Sequence, residues 1–173
     1  MQTITIDRYD LALLDALQRN GNATNAALGD AVHLSASQIS RRLQRLADTG
    51  IVSGYAALLD PAAIGLGVTA FAHVTLERHG KAHSDAFENA ATAMPEVMDC
   101  FSVSGDADYL LRLIAPDLPA FSELMMKRVL RLPGVAHIKT NIALQKVKQT
   151  HVLPLEHLTQ PTRPSQQIRF AGH

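Results

Sequence analysis

One cysteine, no net charge and no long apolar run define what this 173-residue chain is not. With Cys100 alone, no disulfide can close within the chain. No apolar run approaches the ~18 residues of a membrane span. The opening MQTITIDRYD has neither the basic region nor the apolar core of a signal peptide. These absences predict no membrane contact and a cytoplasmic location. Lys and Arg number 16, as do Asp and Glu, for a formal net charge of zero. That argues against a uniformly basic nucleic-acid binder, because phosphate contacts need an excess of cations. The charge is unevenly spread, however. After Asp30 no acid occurs until Asp48, and Arg41, Arg42 and Arg45 lie between them. A small basic patch of this kind gains strength if oligomerisation multiplies it. Hydrophobic residues make up 47% of the chain, enough core for one ordinary domain or two small ones.

The first third has helical periodicity. Leu11, Leu14 and Leu17 predict a helix over 7–18 that Asn20-Gly21 closes. A short second helix is expected over 25–32, with Ala27, Leu28 and Ala31 inward, and a third over 35–48, ended by Thr49-Gly50. Residues 51–59, IVSGYAALL, look like a strand, the wing of a winged domain. The short second helix, a tight turn and a strongly capped third helix are the layout of a helix-turn-helix. His33 occupies that turn, where a left-handed backbone is often required; His tolerates it better than most non-glycine residues.

Ser35-Ala36-Ser37-Gln38 forms a capping box that sets where the third helix begins. Ile39, Leu43 and Leu46 then share its inner side. At 100° per residue, Ser37, Arg41, Gln44 and Arg45 point away from that side, with Gln38 and Arg42 on its flank. Arg can read guanine or clamp phosphate, and Gln can read adenine. The candidate DNA-contacting set is therefore Ser35, Ser37, Gln38, Arg41, Arg42, Gln44 and Arg45. An amphipathic helix with a solvated arginine face is the plainer reading of the same stretch.

After a Gly- and Pro-rich stretch the periodicity changes. Val68, Ala70, Ala72, Val74 and Leu76 alternate as a strand does. A helix over 84–94, strands over 97–104 and 109–115, a helix over 118–132 and a last strand over 135–147 follow, giving the order βαββαβ of a ferredoxin-like sandwich. The expected class is α+β: a helix-turn-helix domain over 1–60, a hinge over 61–67, the βαββαβ domain over 68–153 and a tail over 154–173. The tail, with three prolines and mostly polar residues, reads as either mobile or an arm on a neighbouring subunit. Two helices cover only one face of such a sheet. Ala70, Ala72, Val74, Leu111, Leu113 and Ile142 cannot all be solvated, which predicts a twofold partner and doubled recognition helices. Those helices would reach half-sites about one turn (~34 Å) or a multiple apart.

Both halves carry a resemblance. Ile6 to Gly21 (ID–D–L–ALQRNG), Leu34 to Tyr55 (LS–S–ISRRLQRL–GIVSGY) and Leu59 to Leu66 (LDP–IGL) resemble the Lrp/AsnC, or feast/famine, transcriptional regulators. So do Val103 to Leu118 (VSGDADYLLRLIAPDL), Leu132 to Val135 (LPGV) and Ile142 to Leu155 (IALQKVKQTHVLPL). The resemblance spans roughly residues 4–155, with the motifs in order and at matching spacing. His33 departs from the family's usual turn Gly, and Thr140-Asn141 from its frequent small residues. The resemblance implies a regulator of transcription that binds double-stranded DNA. It implies an amino-acid effector rather than a cofactor, and homodimers that assemble into tetramers or octamers. It places the effector at the loop between the two central strands, with the last strand of a neighbouring subunit. By position this gives Gly105, Asp106, Asp108 and Tyr109, with Thr140 and Asn141. Loop amides suit a carboxylate and an aspartate suits an ammonium, the two constant ends of an amino acid. A plain hairpin turn would also use GDAD.

No metal or catalytic site is expected. His79 and His83 have a ligand-like spacing, but Gly80 lies between them and nothing completes the set. Cys100 is expected to be a packed or interfacial thiol, the methionines to be core, and His73 to sit at a surface or subunit interface. An enzyme resembling the sirohaem decarboxylases, which share the two-domain layout, is the alternative function. The arginine-rich third helix argues for a regulator instead.

Overall fold

Asp7 and Asp10 start the N-terminal helix by capping each other. The Asp10 N–H donates to Asp7 Oδ1 at 2.8 Å, and the Asp7 N–H to Asp10 Oδ2 at 3.0 Å. A computed structural model of the chain describes residues 4–78, 80–159 and 168–171. In it a three-residue strand β1 (Ile4–Ile6) leads into α1 (Arg8–Arg19), α2 (Asn25–Val32) and α3 (Ala36–Asp48). Leu13, Leu17, Leu28, Val32, Ile39 and Leu46 form the core of this trihelical part. The inner residues of α2 are Leu28, Gly29 and Val32, whereas Ala27 and Ala31, expected inward, are exposed. A β-carbon on Gly29 would stand 2.4 Å from the Leu34 carbonyl oxygen, so only glycine lets the turn lie across α2.

The chain divides into two units, one of residues up to Ala57 together with those from Lys148 onward, the other spanning Leu58–Val147. The composition of 154–173 predicts a mobile tail or an arm on a neighbouring subunit. Its described parts instead fold onto the N-terminal unit of the same chain. Leu158 is buried in the helical core, Leu155, Ile168 and Phe170 pack against it, and β6 (Ile168–Phe170) pairs in parallel with β1. Isolated apolar residues among prolines carry no period, so nothing in their pattern signals this docking. The strand expected over 51–59 is absent as well. Ile51 and Val52 pack on the helical core, but residues 53–60 are exposed and unpaired, since no described strand is there to pair with them.

In the second unit, β2 (Val68–Leu76), α4 (Lys81–Thr92), β3 (Val97–Ser102), β4 (Tyr109–Ala115), α5 (Leu118–Lys127) and β5 (Val135–Ile142) form a sheet of order β3-β4-β2-β5, antiparallel throughout. This is the ferredoxin-like arrangement that the βαββαβ order predicts. The last strand stops at Ile142 rather than 147. Ile142 pairs with Ala70 and the Ala143 N–H reaches Thr69, after which only Val68 of β2 remains to pair with. The second helix stops at Lys127 and a 3₁₀ turn (Val129–Arg131) follows, because Leu132 must be extended ahead of Pro133.

The covered sheet face is the reverse of the one expected. Ala70, Ala72, Val74, Leu111 and Leu113 are buried beneath α4 and α5 with Phe87, Ala91, Phe121 and Leu124. In register, the face without helices carries Phe71, His73 and Thr75, Leu110 and Arg112, Asp99 and Phe101, and Lys139 and Asn141. Alternation says which residues share a face, not which face the helices take. Of the methionines expected in the core, Met94 is buried, but Met98 and Met126 are exposed.

Candidate DNA-reading helix and effector loop

The turn between α2 and α3 is built on His33, whose backbone is left-handed (φ 59°, ψ 45°), the only non-glycine residue with positive φ among the described residues. The capping box at the start of α3 forms as the sequence predicts. The Gln38 N–H donates to Ser35 Oγ at 3.3 Å, and the Ser35 N–H to Gln38 Oε1 at 2.9 Å. Ser35 and the Gln38 carbonyl oxygen are thereby engaged within the helix, leaving the Gln38 amide nitrogen without a partner among the described residues. Ser37 is exposed beside Ser35, with the two hydroxyls 3.1 Å apart. Gln44 donates to Asp48 Oδ1 at 2.8 Å.

The three arginines separate into two kinds. Arg41 is exposed, and among the described residues its only bond is from Nε to the Ser37 carbonyl at 3.3 Å, which leaves its terminal nitrogens without a partner there. Arg42 donates to Asp10 Oδ1 at 2.7 Å and to Asp7 Oδ1 at 3.0 Å, with its guanidinium 5.5 Å from the Tyr9 ring centre. Arg45 donates from Nη2 to Asp10 and from Nη1 to the Thr5 carbonyl at 3.0 Å. Asp10 is fully buried. Burial pushes its carboxyl upward, but the hydrogen bonds from Arg45, from the Asp7 backbone side and from Arg42 outweigh this and hold it below the usual carboxylate range. Two of the three candidate arginines therefore fasten α3 to α1 and β1. Asp7, Tyr9 and Asp10 were missed in the sequence. The available signal was Asp10 itself, an acid on the same helical stripe as Leu13 and Leu17, which needs a cation if buried.

The loop between β3 and β4 belongs to the other unit. Gly105 has φ +123° with open space where a β-carbon would stand, and Asp106 beside it is exposed. The N–H groups of Ser104, Gly105 and Asp106 meet no acceptor among the described residues. Asp108 is used differently. Its Oδ2 accepts the Leu76 N–H at 2.8 Å where the β2–β5 register shifts, and its own N–H donates to the Val74 carbonyl at 2.9 Å. Tyr109 lies on the helix-covered face, against Phe87 with ring centres 4.6 Å apart, and donates to Glu88 Oε1 at 2.7 Å. Burial raises its pKa, with the Glu88 charge adding to the rise. Thr140 and Asn141 pair with Ala72 and Phe71 on opposite faces of the sheet. They stand three to four residues along β2 from the Asp106–Thr75 contact (3.5 Å), ~10 Å of strand. Gly105, Asp106 and Asp108 thus come together within one chain, and Thr140 and Asn141 do not join them.

Cys100 packs against the core of this unit, where burial, aided by the Glu88 charge, pushes its thiol pKa up. His79 lies outside the described residues. Among the described residues no three His, Cys, Asp or Glu side chains converge as metal ligands, and no helix is long and apolar enough to cross a membrane.

Comparison with known proteins matches residues 6–47 to the AsnC-type helix-turn-helix domain and residues 69–153 to the Lrp/AsnC ligand binding domain. Over 151 residues, 87% of the chain, it is 36% identical to the DNA-binding transcriptional activator DecR of Escherichia coli K12, covering 99% of that protein. It is 35% identical to the leucine-responsive regulatory protein of the same organism, covering 87% of this chain and 92% of that one. A transcriptional regulator of Neisseria meningitidis in complex with L-Met superposes with a TM-score of 0.85 at 40% identity, over 88% of this chain and 99% of that one.

Proposed function

Because the chain belongs to the Lrp/AsnC family of transcriptional regulators, we propose that it binds operator DNA through α3 and that an amino acid tunes that binding. The observation that carries the DNA reading is the division of labour on α3. Arg42 and Arg45 are spent on Asp10, while Arg41, Ser37 and the Gln38 amide nitrogen stand on the exposed side. Arg41 is the phosphate or guanine contact, with Ser37 and Gln38 beside it; Arg42 and Arg45 hold the helix at the angle that presents them. Ser35 acts as the cap and Gln44 as a supporting neighbour.

The effector is an amino acid, a reading supported by the Neisseria regulator's complex with L-Met. The unpartnered amides at 104–106 suit its carboxylate and Asp106 its ammonium. Asp108 and Tyr109 support the loop from below. Thr140 and Asn141 take part only when a neighbouring subunit brings its last strand to this loop. The working form is a homodimer or a larger even assembly. A second copy covers the helix-free sheet face, where Phe101 is 55% and Phe71 37% exposed. The effector then acts by binding one assembly geometry better than another. The alternative of an enzyme like the sirohaem decarboxylases is less well supported, since the named relatives are regulators of transcription.

Two measurements test the proposal. Fluorescence anisotropy with the chain's own promoter fragment should show an affinity that falls steeply as salt rises. A melting screen over the twenty amino acids should single out a ligand that raises the melting temperature and shifts the DNA affinity. A salt-insensitive or absent affinity contradicts the DNA reading, and no response to any amino acid contradicts the effector reading.

A further inference from the structure

We propose that the C-terminal strand β6 is a positioning element for the DNA-reading helix, acting through Thr5 and Arg45. β6 lies beyond residue 153, where the match to the ligand-binding family region ends. It is the only strand partner of β1 among the described residues, with Ile4, Thr5 and Ile6 in register with Ile168, Arg169 and Phe170. A three-residue strand has no stability alone. Here the apolar side chains anchor the pair: Ile6 is buried, and Ile4, Ile168 and Phe170 pack on the helical core.

The backbone of β1 faces two ways. In a parallel pair, alternate residues turn their N–H and C=O toward the partner. Ile6 does so, accepting from the Ala171 N–H at 2.8 Å. Thr5, next to it, turns its carbonyl to the opposite edge, and there Arg45 Nη1 donates at 3.0 Å. β1 therefore lies between β6 and the Arg45 guanidinium. Arg45 is held at two points, the buried Asp10 and the Thr5 carbonyl, and the second stays in place only while β6 holds β1. Without β6, the acceptor at Thr5 is lost to chain motion, and Arg45 is held by Asp10 alone.

This inference rests on α3 being the DNA-reading helix, and its test is a double-mutant cycle on DNA affinity. The proteins are the full chain, the chain ending at residue 167, Arg45→Lys, and both changes together. Lysine keeps the charge but lacks the fork that bridges Thr5 and Asp10. The Arg45–Thr5 bond is exposed and so screened by water; its loss corresponds to up to about tenfold. The shortened chain is expected to bind about three- to tenfold more weakly, and the same deletion in the Arg45→Lys background to change affinity less than about twofold. Ala171→Pro, which removes the donor to Ile6 without shortening the chain, is expected to show the same coupling, and it carries the test if the shortened chain fails to fold. Unchanged affinity in the shortened chain and in Ala171→Pro overturns the proposal, as do losses of equal size in both backgrounds. If the full chain shows no salt-dependent affinity for DNA, the DNA reading falls and this inference with it. If the full chain binds and the variants bind equally well, β6 alone is acquitted of the role.

Discussion

Arg42 of the third helix reaches back to the first and donates to the buried carboxylate of Asp10 at 2.7 Å, a bond that spans 32 residues of sequence. Arg45 closes on the other oxygen of the same carboxylate. One buried acid thus fixes the angle between two helices of the DNA-binding unit.

Asp10→Ala is expected to destabilise that unit by about 2–3 kcal/mol, below the 3–5 typical of a broken buried pair because both arginines retain some solvent. The same carboxylate gives a pH signature. Its folded pKa lies below the ordinary value of 3.8. Its contribution is therefore present above that value and is lost as the pH falls through the lower, folded pKa. Melting temperatures measured from neutral pH down to about pH 3 should fall at the acid end in the parent and fall less in Asp10→Asn. Parallel curves for the two proteins would contradict this assignment.

Arg41→Ala and Arg45→Ala should differ in kind. Among the described residues Arg41 holds nothing but the Ser37 carbonyl, so its loss should weaken DNA binding about tenfold, lower the salt slope by about one, and leave the melting temperature within a degree or two. Arg45→Ala should lower the melting temperature as well as the affinity, because it frees one oxygen of a buried carboxylate. Equal effects of the two substitutions on melting would undo the division between contact and support.

His33→Gly should stabilise the protein. A left-handed backbone costs a side-chain-bearing residue roughly 1 kcal/mol, partly offset by the greater freedom of glycine in the unfolded chain. A net gain of about 0.5 kcal/mol, read as a rise in melting temperature, is the expected result, and His33→Val should lose more than that. A drop in melting temperature for His33→Gly would mean that the His33 side chain contributes something its geometry does not suggest.

What was legible in the sequence was local. The ends of α2, the Ser35–Gln38 box and the left-handed turn at His33 follow from the chemistry of four or five neighbouring residues, and the structure has all three. The βαββαβ order was legible because alternation and helical period separate cleanly there. What was not legible depends on distant partners. Arg42 and Arg45 look like surface cations until Asp10 is placed beside them. Asp108 looks like a free loop acid until the Leu76 N–H arrives. Tyr109 adjoins the loop in sequence, but strand alternation, once the covered face is known, turns it inward onto Phe87. The docking of Leu158, Ile168 and Phe170 needs a surface that only the folded helices supply.

Tyr109→Phe distinguishes a core residue from an effector contact. It removes the hydroxyl that donates to Glu88 and keeps the ring against Phe87. The expected loss is about 1 kcal/mol of stability in the ligand-binding unit, with amino-acid affinity unchanged. Asp106→Asn should do the reverse: the fold is untouched, because the side chain is exposed and makes no bond among the described residues, and the amino-acid response in the melting screen is lost. If Tyr109→Phe abolishes that response at unchanged stability, the tyrosine reaches the ligand after all.

Phe101 tests the assembly proposed for the helix-free sheet face. It stands on the helix-free face of the sheet, in register with Leu110, and more than half of its surface meets solvent in the single chain. A second copy that covers this face would bury Phe101 and Phe71, and a carboxylate placed there would be left uncompensated at the interface. Phe101→Glu should therefore give a monomer in analytical ultracentrifugation at concentrations where the parent is a dimer or larger. Each unit should still melt normally, since the side chain contributes nothing to either core. Operator affinity should fall by far more than tenfold, because in the proposed assembly the neutral chain, whose Arg41 meets no carboxylate among the described residues, binds DNA through two copies together. A Phe101→Glu protein that stays dimeric would move the interface away from this face and leave its exposed aromatics without a partner.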